Sequence, residues 1–335
     1  MDRLFRIVVL CWLVIWGGSV WAGDYSKHPE FVKFIDEMVE KHGFERAELE
    51  TLIGKAKKKQ SILDAISRPA ERTKTWEEYR PMFVNKTRIG RGVTFWKNNE
   101  ETLKRAEAEY GVPAKYIVSI IGVETMYGKQ GGGYRVIDAL STLAFDYPKR
   151  PLFRRELTSF LIMCRDYKLD PLTIRGSYAG AMGFGQFIPS SYLSYAVDFD
   201  GDDSKDIWAN PVDAIGSVAN YIQKHGWVRN GLITSRARVS GDAYQSIANE
   251  SLEPTKTIKE LVGYGVTPAT DASLPDQEKA ALFKYQGRLG AEFWLGFNNF
   301  YAITRYNHSR LYAMSVIQLG DEIERKRNSK DKKES

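Results

Sequence analysis

A glutamate stands where a run of apolar residues calls for another aliphatic side chain. After Pro113, Ile117, Ile120 and Ile121 recur at helical spacing, and Glu124 takes the next position of the same stripe. Burial disfavours the charged form of a carboxyl group, which is what a general acid working at neutral pH requires. The alternative is a glutamate satisfied by a partner such as Arg135, or one that caps a neighbouring helix. The residues that follow favour the acid: Thr125-Met126-Tyr127-Gly128 ends the helix on a glycine, and residues 129–133 form a glycine-rich loop. That order sets the carboxyl near a helix end beside open backbone, which serves a cleft and is unnecessary in a core.

Two more segments carry donors for chemistry. Residues 176–190 interleave four glycines with Ser177 and Gln186; glycine lets a backbone approach a ligand closely, and the two polar side chains offer the hydrogen bonds sugars need. A tight helix–helix contact would use the same glycines. Residues 198–206 present Asp198, Asp200, Asp202 and Ser204 at the alternating spacing of an EF-hand start, but Asp203 stands where the loop's glycine belongs and Ala209 where its bidentate glutamate belongs. The competing reading is an Asp-rich surface turn.

The elements that position these residues are mainly helical. Phe31, Phe34, Ile35 and Met38 mark a helix in a helical stretch from 28 to 70, punctuated by Gly43, and further helices are expected over 95–110, 153–167, 211–225 and 312–319. The basic run 55–59 reads as a solvated helix face. Between about 228 and 297 the pattern changes to short runs such as Ala237-Arg238-Val239, Ala281-Leu282-Phe283 and Glu292-Phe293-Trp294-Leu295, separated by Gly, Pro and Asp. The expected fold class is therefore α+β, mainly α, with a small inserted α+β lobe and a charged, disordered tail from 323 to 335.

The chain begins with Arg3 and Arg6 ahead of an apolar run that ends in small residues, the layout of a secretory signal cleaved after Ala22. The run from Ile7 to Trp16 is well short of the ~20 residues of a membrane-spanning helix. Cys11 sits inside that run without the small preceding side chains of a lipid-attachment site, so a lipid anchor is not expected. Once the leader is removed Cys164 is the only cysteine, no internal disulfide can form, and Cys164 reads as a buried thiol. With 335 residues and 43% hydrophobic content the chain is long enough to hold its fold by its core. The net charge of +6 suits anionic partners; export and the lack of any nucleic-acid motif set nucleic acid aside.

The segments IIGVETMYG, GSYAGAMGFGQFIPSSY, NPVDAIGSVANYIQKHGW and ITRYNHSRLYAMSVIQL, in this order, resemble the membrane-bound lytic murein transglycosylase B family over nearly all of the mature chain. The resemblance implies a lysozyme-like helical core (residues 111–228 and 299–322), a helical lobe (23–110) and a small β-containing lobe (229–298). It implies that Glu124 is the catalytic acid and base, with Ser177 and Gln186 beside it on the substrate. Tyr79, Tyr221, Tyr306, Asn307 and Tyr312 match residues lining the family's cleft, and Phe187 a neighbouring wall. Lys149 and Arg150 match a basic pair associated with peptide stems, where Lys149 replaces an arginine and loses its forked geometry. The Asp loop becomes a variant calcium loop of Asp198, Asp200, Asp202 and Ser204 with Asp213 as distal ligand, one residue longer than the family pattern.

With one well-placed carboxylate, the implied chemistry is substrate-assisted. Glu124 protonates the oxygen between N-acetylmuramic acid and N-acetylglucosamine, and the muramoyl C6 hydroxyl closes on C1 to leave a 1,6-anhydro end. Catalysis needs no cofactor, and the calcium would be structural. The expected protein is a periplasmic monomer acting on glycan strands, with other cell-wall enzymes as candidate partners. The alternatives are a muramidase that uses water and a scaffold that binds peptidoglycan without cleaving it.

Overall fold

The computed structural model describes residues 25, 28–67, 74–147, 151–269 and 274–334. The leader at 1–22 and the basic pair Lys149 and Arg150 lie outside the described residues. The chain divides into two compact units, residues 1–57 and 58–335.

In the first unit α1 (Pro29–His42) packs on α2 (Arg46–Ile53). Proline in the first turn and the His28 ring nitrogen accepting the Glu30 N–H start α1; Gly43, at φ 65°, stops it. Phe34, Ile35 and Met38 are fully buried, as their spacing predicts.

The second unit opens with α3 (Gln60–Ile66), α4 (Trp76–Phe83), α5 (Lys86–Asn98), α6 (Glu100–Tyr110) and α7 (Ala114–Thr125). The basic run 55–59 lies in the loop between α2 and α3 rather than on a helix. The single helix expected over 95–110 is broken at Asn99, whose φ of −125° is not helical and whose side chain returns to the Phe95 carbonyl at 2.8 Å. A two-residue ribbon of β1 (Tyr134–Arg135) and β2 (Arg175–Gly176) flanks α8 (Val136–Asp146) and α9 (Leu152–Asp166), followed by α10 (Pro189–Tyr195) and α11 (Pro211–Lys224).

Helix α7 is the axis of this unit. It touches α5, α6 and α11, and 10 of its 12 residues are buried; Lys115 and Glu124 are the exceptions. The stripe read from the sequence is thus a helix covered on all sides, so the contrast at Glu124 is sharper than one apolar face would make it. Cys164, on α9, is buried as expected, and burial pushes its thiol up to about 12.

Between α11 and the closing helices lies one antiparallel sheet. Its strands are β3 (Thr234–Val239), β4 (Lys256–Thr257), β5 (Val266–Pro268), β6 (Lys279–Gly287) and β7 (Gly290–Gly296), in the order β4-β6-β7-β3-β5, with α12 (Ile258–Gly263) against it. In the β6–β7 register Leu282 faces Leu295 and Phe283 faces Trp294. Alternation then does the rest: Leu282 and Leu295 join Ile258, Leu261 and Val266 in the lobe's own core, while Phe283 turns to the other face and meets Phe300 at 4.7 Å.

Phe300 belongs to α13 (Asn298–Thr304), and α14 (Arg310–Glu334) then crosses α7 and α5. The tail expected to be disordered from 323 is helical to Glu334. Ile323 is fully buried, Lys115 bonds Asp321 and Glu324 at 3.0 and 2.9 Å, and Arg327 bonds Glu100 at 2.7 Å, so the charge that reads as disorder is spent on neighbouring helices. Among the described residues no helix is long and apolar enough to cross a membrane.

Candidate active site

Helix α7 ends because three successive residues, Met126, Tyr127 and Gly128, take positive φ of 53°, 62° and 82°. For the two that carry a side chain this costs roughly 1–2 kcal/mol each, and the contacts they reach offset it. The Tyr127 hydroxyl donates to the Arg88 carbonyl at 3.0 Å, and the glycines facing its ring are required: a methyl group on Gly92 or Gly122 would lie 2.5 Å from that oxygen. Thr125 Oγ1 accepts the Gly128 N–H and donates to the Phe184 carbonyl, both at 2.9 Å, tying the helix end to the second glycine-rich segment.

Glu124 is half-buried at this end. Tyr312, in the first turn of α14, donates to its Oε1 at 2.6 Å. Burial first, and the Glu124 charge second, push the Tyr312 phenol well above its ordinary value, so it stays a donor throughout the neutral range. The same two causes act on Tyr306, whose hydroxyl donates to the Gly185 carbonyl and whose ring lies nearly parallel to that of Tyr312, 6.4 Å away. Arg135, the alternative partner for Glu124, forks onto Asp138 at 2.9 and 2.6 Å.

An aromatic wall continues from there. Tyr221 packs on Tyr306 at 4.7 Å, donates to the Arg305 carbonyl at 2.8 Å and is pushed up to about 12 by burial. Phe187 backs both, 5.6 Å from Tyr221 and 6.1 Å from Tyr306, and is itself buried. Tyr79, buried on α4, is close enough to Tyr312 to affect its titration. Asn307 is half-buried in the turn between α13 and α14.

Ser177 and Gln186 are already engaged, and the engagement defines what each can still offer. Ser177 Oγ accepts the N–H groups of Ala179 at 3.3 Å and Ala181 at 3.1 Å, which leaves its proton to donate. Gln186, at φ 50°, gives its amide N–H groups to the carbonyls of Gly131 and Gly183, each at 3.2 Å, so its amide oxygen is the atom left to accept. This side chain joins the loop after Glu124 to the segment around Ser177. The two loops approach so closely that a methyl group on Gly132 would fall 2.1 Å from the Gly176 carbonyl oxygen.

Of the expected site residues the structure brings Glu124, Tyr306, Tyr312, Tyr221 and Phe187 into one connected group, with Tyr79 beside it, while the side-chain bonds of Gln186 go to the carbonyls of Gly131 and Gly183. Sequence reasoning missed Arg88. It is buried on α5, and its Nη1 donates to the carbonyls of Gly122 and Val123 at 3.1 and 3.3 Å, in the last turn of α7. Burial lowers its basicity, with the Glu124 and Tyr127 charges acting against that. A signal was present: Arg88, Gly92, Phe95 and Trp96 share one helical stripe, with an ionisable side chain at an apolar-stripe position just as Glu124 is at another.

The Asp loop is separate. Carboxylate oxygens of Asp198, Asp200, Asp202 and Asp213 lie within 4.8 Å of one another. Asp213 is fully buried at the start of α11 and accepts the Phe199 and Asp206 N–H groups at 2.7 and 2.8 Å; burial still pushes it up. Asp198 accepts from Gly201, Asp202 and Asp203, and these N–H groups outweigh burial and hold it down. Asp203 adopts φ 66°, the conformation for which an EF-hand uses glycine. Ser204 is exposed, and its N–H donates to Asp202 at 2.9 Å. Among the described residues no lysine or arginine pairs with the four carboxylates, and such an all-oxygen donor set fits a hard divalent cation.

The family model described as "Transglycosylase SLT domain" matches residues 26–321. The membrane-bound lytic murein transglycosylase B of Escherichia coli (strain K12) is 44% identical over 312 residues, covering 90% of this chain and 84% of that protein. The soluble lytic transglycosylase SltB1 from Pseudomonas aeruginosa superposes with a TM-score of 0.86 at 51% identity, over 90% of this chain and 100% of that one. The Escherichia coli lytic transglycosylase Slt35 in complex with calcium superposes with a TM-score of 0.82 at 43% identity, over 91% and 96%.

Proposed function

The chain belongs to the transglycosylase SLT domain family and is a lytic murein transglycosylase acting on peptidoglycan, and from that premise we propose that Glu124 is its single acid and base. The observation that carries the assignment is the 2.6 Å hydrogen bond from Tyr312 to a half-buried carboxyl at the open end of an otherwise buried helix. Tyr312 holds Oε1, and Oε2 delivers the proton. The C1–O4 bond between the muramoyl and glucosaminyl residues breaks as O4 takes that proton, and the muramoyl acetamido oxygen stabilises C1. The ionised Glu124, with Tyr312 still donating to it, then removes the C6 hydroxyl proton as O6 bonds to C1. No water enters, and the strand ends in a 1,6-anhydro ring.

Positioning carries much of such an intramolecular closure. Ser177 donates to the sugar and the Gln186 oxygen accepts from it, while Tyr79, Tyr221, Tyr306, Asn307 and Tyr312 bound the cleft and Phe187 supports the tyrosines. Lys149 and Arg150 engage the peptide stems. Mass spectrometry of products from purified peptidoglycan tests the reading. Anhydro ends from the wild type and none from Glu124→Gln support it; hydrated ends indicate a muramidase, and turnover retained in Glu124→Gln removes the assignment.

The protein is exported to the periplasm by a cleaved leader, and the loop of Asp198, Asp200, Asp202, Ser204 and Asp213 holds a structural calcium ion. The ion's part is to neutralise the carboxylate cluster against α11, away from the bond being broken. At calcium concentrations about a hundredfold above Kd this adds about 2.7 kcal/mol of stability, or roughly 5–10 °C in melting temperature. A melting temperature unchanged by chelator would remove the ion from the account.

A further inference from the structure

A cavity of about 300 Å³, near the lower end of small-ligand pockets at roughly 300–1,000 Å³, lies where the first turns of α4 and α14 meet the edge of β6. Its floor is aromatic: Trp76 and Tyr285 are buried with ring centroids 5.4 Å apart, and the Tyr285 hydroxyl is spent on the Arg310 carbonyl at 3.0 Å. Around that floor stand Lys74, Lys284 and Arg310, and among the described residues no carboxylate lines the cavity. Lys74 and Lys284 are exposed, and among the described residues none of the three cations forms an ion pair. Glu78, the acid that feels Lys74, is committed to the Thr75 cap of α4 at 2.8 Å. Arg310 Nε is buried with no hydrogen-bond partner.

Three unpaired cations over an apolar floor are poorly matched to a neutral sugar, whose hydroxyls cannot compensate the charge, and well matched to a carboxylate on an aliphatic stem. The cavity also has a fixed relation to the cleft. Arg310 precedes Tyr312 by two residues, about 3 Å along α14, and Trp76 precedes Tyr79 by one helical turn on α4. We propose that this cavity binds a carboxylate of a peptide stem borne by the strand that lies at Glu124. The proposal rests on the peptidoglycan reading above and adds a second point at which the enzyme senses whether its glycan carries peptide.

The test compares the wild type with the double variant Lys74→Gln/Lys284→Gln, two exposed changes that leave the aromatic floor intact. Each protein is assayed on stem-bearing glycan strands and on strands stripped by an amidase, and each is titrated with free stem peptide by NMR. The expected result is a KM about tenfold higher on stem-bearing strands with kcat unchanged, kinetics on stripped strands within about twofold of wild type, and weaker peptide binding. Equal changes on both substrates, or on neither, overturn the proposal. So does loss of binding to anionic lipid vesicles with KM on stem-bearing strands unmoved, which would assign the cavity to lipid phosphate. If the wild type yielded no anhydro ends from either substrate, the transglycosylase assignment would fail, while the peptide titration would still decide the cavity.

Discussion

Glu124 and Asp213 are both carboxylates on well-packed helices, and their surroundings differ in the way the tasks we propose for them differ. Asp213 is fully buried, and both its oxygens are taken by backbone N–H groups that exist only while the loop keeps its shape. Glu124 is half-buried at a helix end, where a side-chain hydroxyl holds one oxygen. Backbone donors fix a charge in place; a tyrosine donor supports a group that must pass through both protonation states, because its O–H can follow the carboxyl as charge comes and goes. One arrangement builds structure and the other leaves chemistry available.

The comparison breaks first at Glu124→Gln, which keeps the shape and removes the proposed proton donor. Turnover should fall by about 10³-fold or more with the melting temperature unmoved. Asp213→Ala should do the reverse, costing about 2–4 kcal/mol in denaturant unfolding because two buried N–H groups lose their acceptor, while residual folded enzyme keeps its kcat. If Asp213→Ala lowered kcat as much as Glu124→Gln at matched folded fraction, the separation of roles would be wrong. Next in size is Tyr312→Phe, expected to lower kcat about tenfold, the worth of one hydrogen bond to a charged group, with KM little changed. Arg88→Met should lower stability by about 1–3 kcal/mol by stranding two carbonyls of α7; Arg88→Lys, which keeps a donor, should restore most of it.

How much of this was legible in the sequence follows from how local each signal is. Glu124 could be read because an acid in an isoleucine stripe contradicts the periodicity around it, and the glycine after Tyr127 marks the helix end. Arg88 carried the same contradiction on α5, yet its role depends on carbonyls 34 and 35 residues away, which no local pattern encodes. The engagement of Gln186 is hidden for the same reason: its partner Gly131 is 55 residues distant. The resemblance named the residue, and only the packing of two loops shows that its oxygen rather than its nitrogen is free.

The fold divides similarly. The short apolar runs of β6 and β7 and the Pro211 and Gly226 limits of α11 are local and were readable. The continuation of the last helix was not: from 323 onward the composition is that of a solvated tail, and it is helical where Lys115 and Glu100, far back in the chain, take up the charges of Glu324 and Arg327. The break at Asn99 was missed because apolar periodicity on both sides of it is intact, and only the asparagine side chain returning to its own backbone interrupts the helix.

The smallest effect tests the wall rather than the carboxylates. His225 stacks on Tyr221 at 3.9 Å with its Nδ1 at 2.7 Å from the Tyr221 carbonyl, and burial, joined by the Arg305 charge and opposed by that carbonyl, holds its titration below the ordinary imidazole value of 6.5. A depressed value in the folded state means that the unfolded chain takes up the proton first, so stability is full above pH 6.5 and is lost as pH falls through the folded value. The melting temperature of the wild type should therefore decline between that pH and the folded value more than that of His225→Gln, which has no proton to gain. The decline should leave Glu124→Gln and wild type indistinguishable, since the imidazole acts on the aromatic wall whichever side chain stands at the acid's position. A steeper decline in wild type than in Glu124→Gln would instead couple the wall to the carboxyl, and the division between supporting and reacting groups would have to be redrawn there.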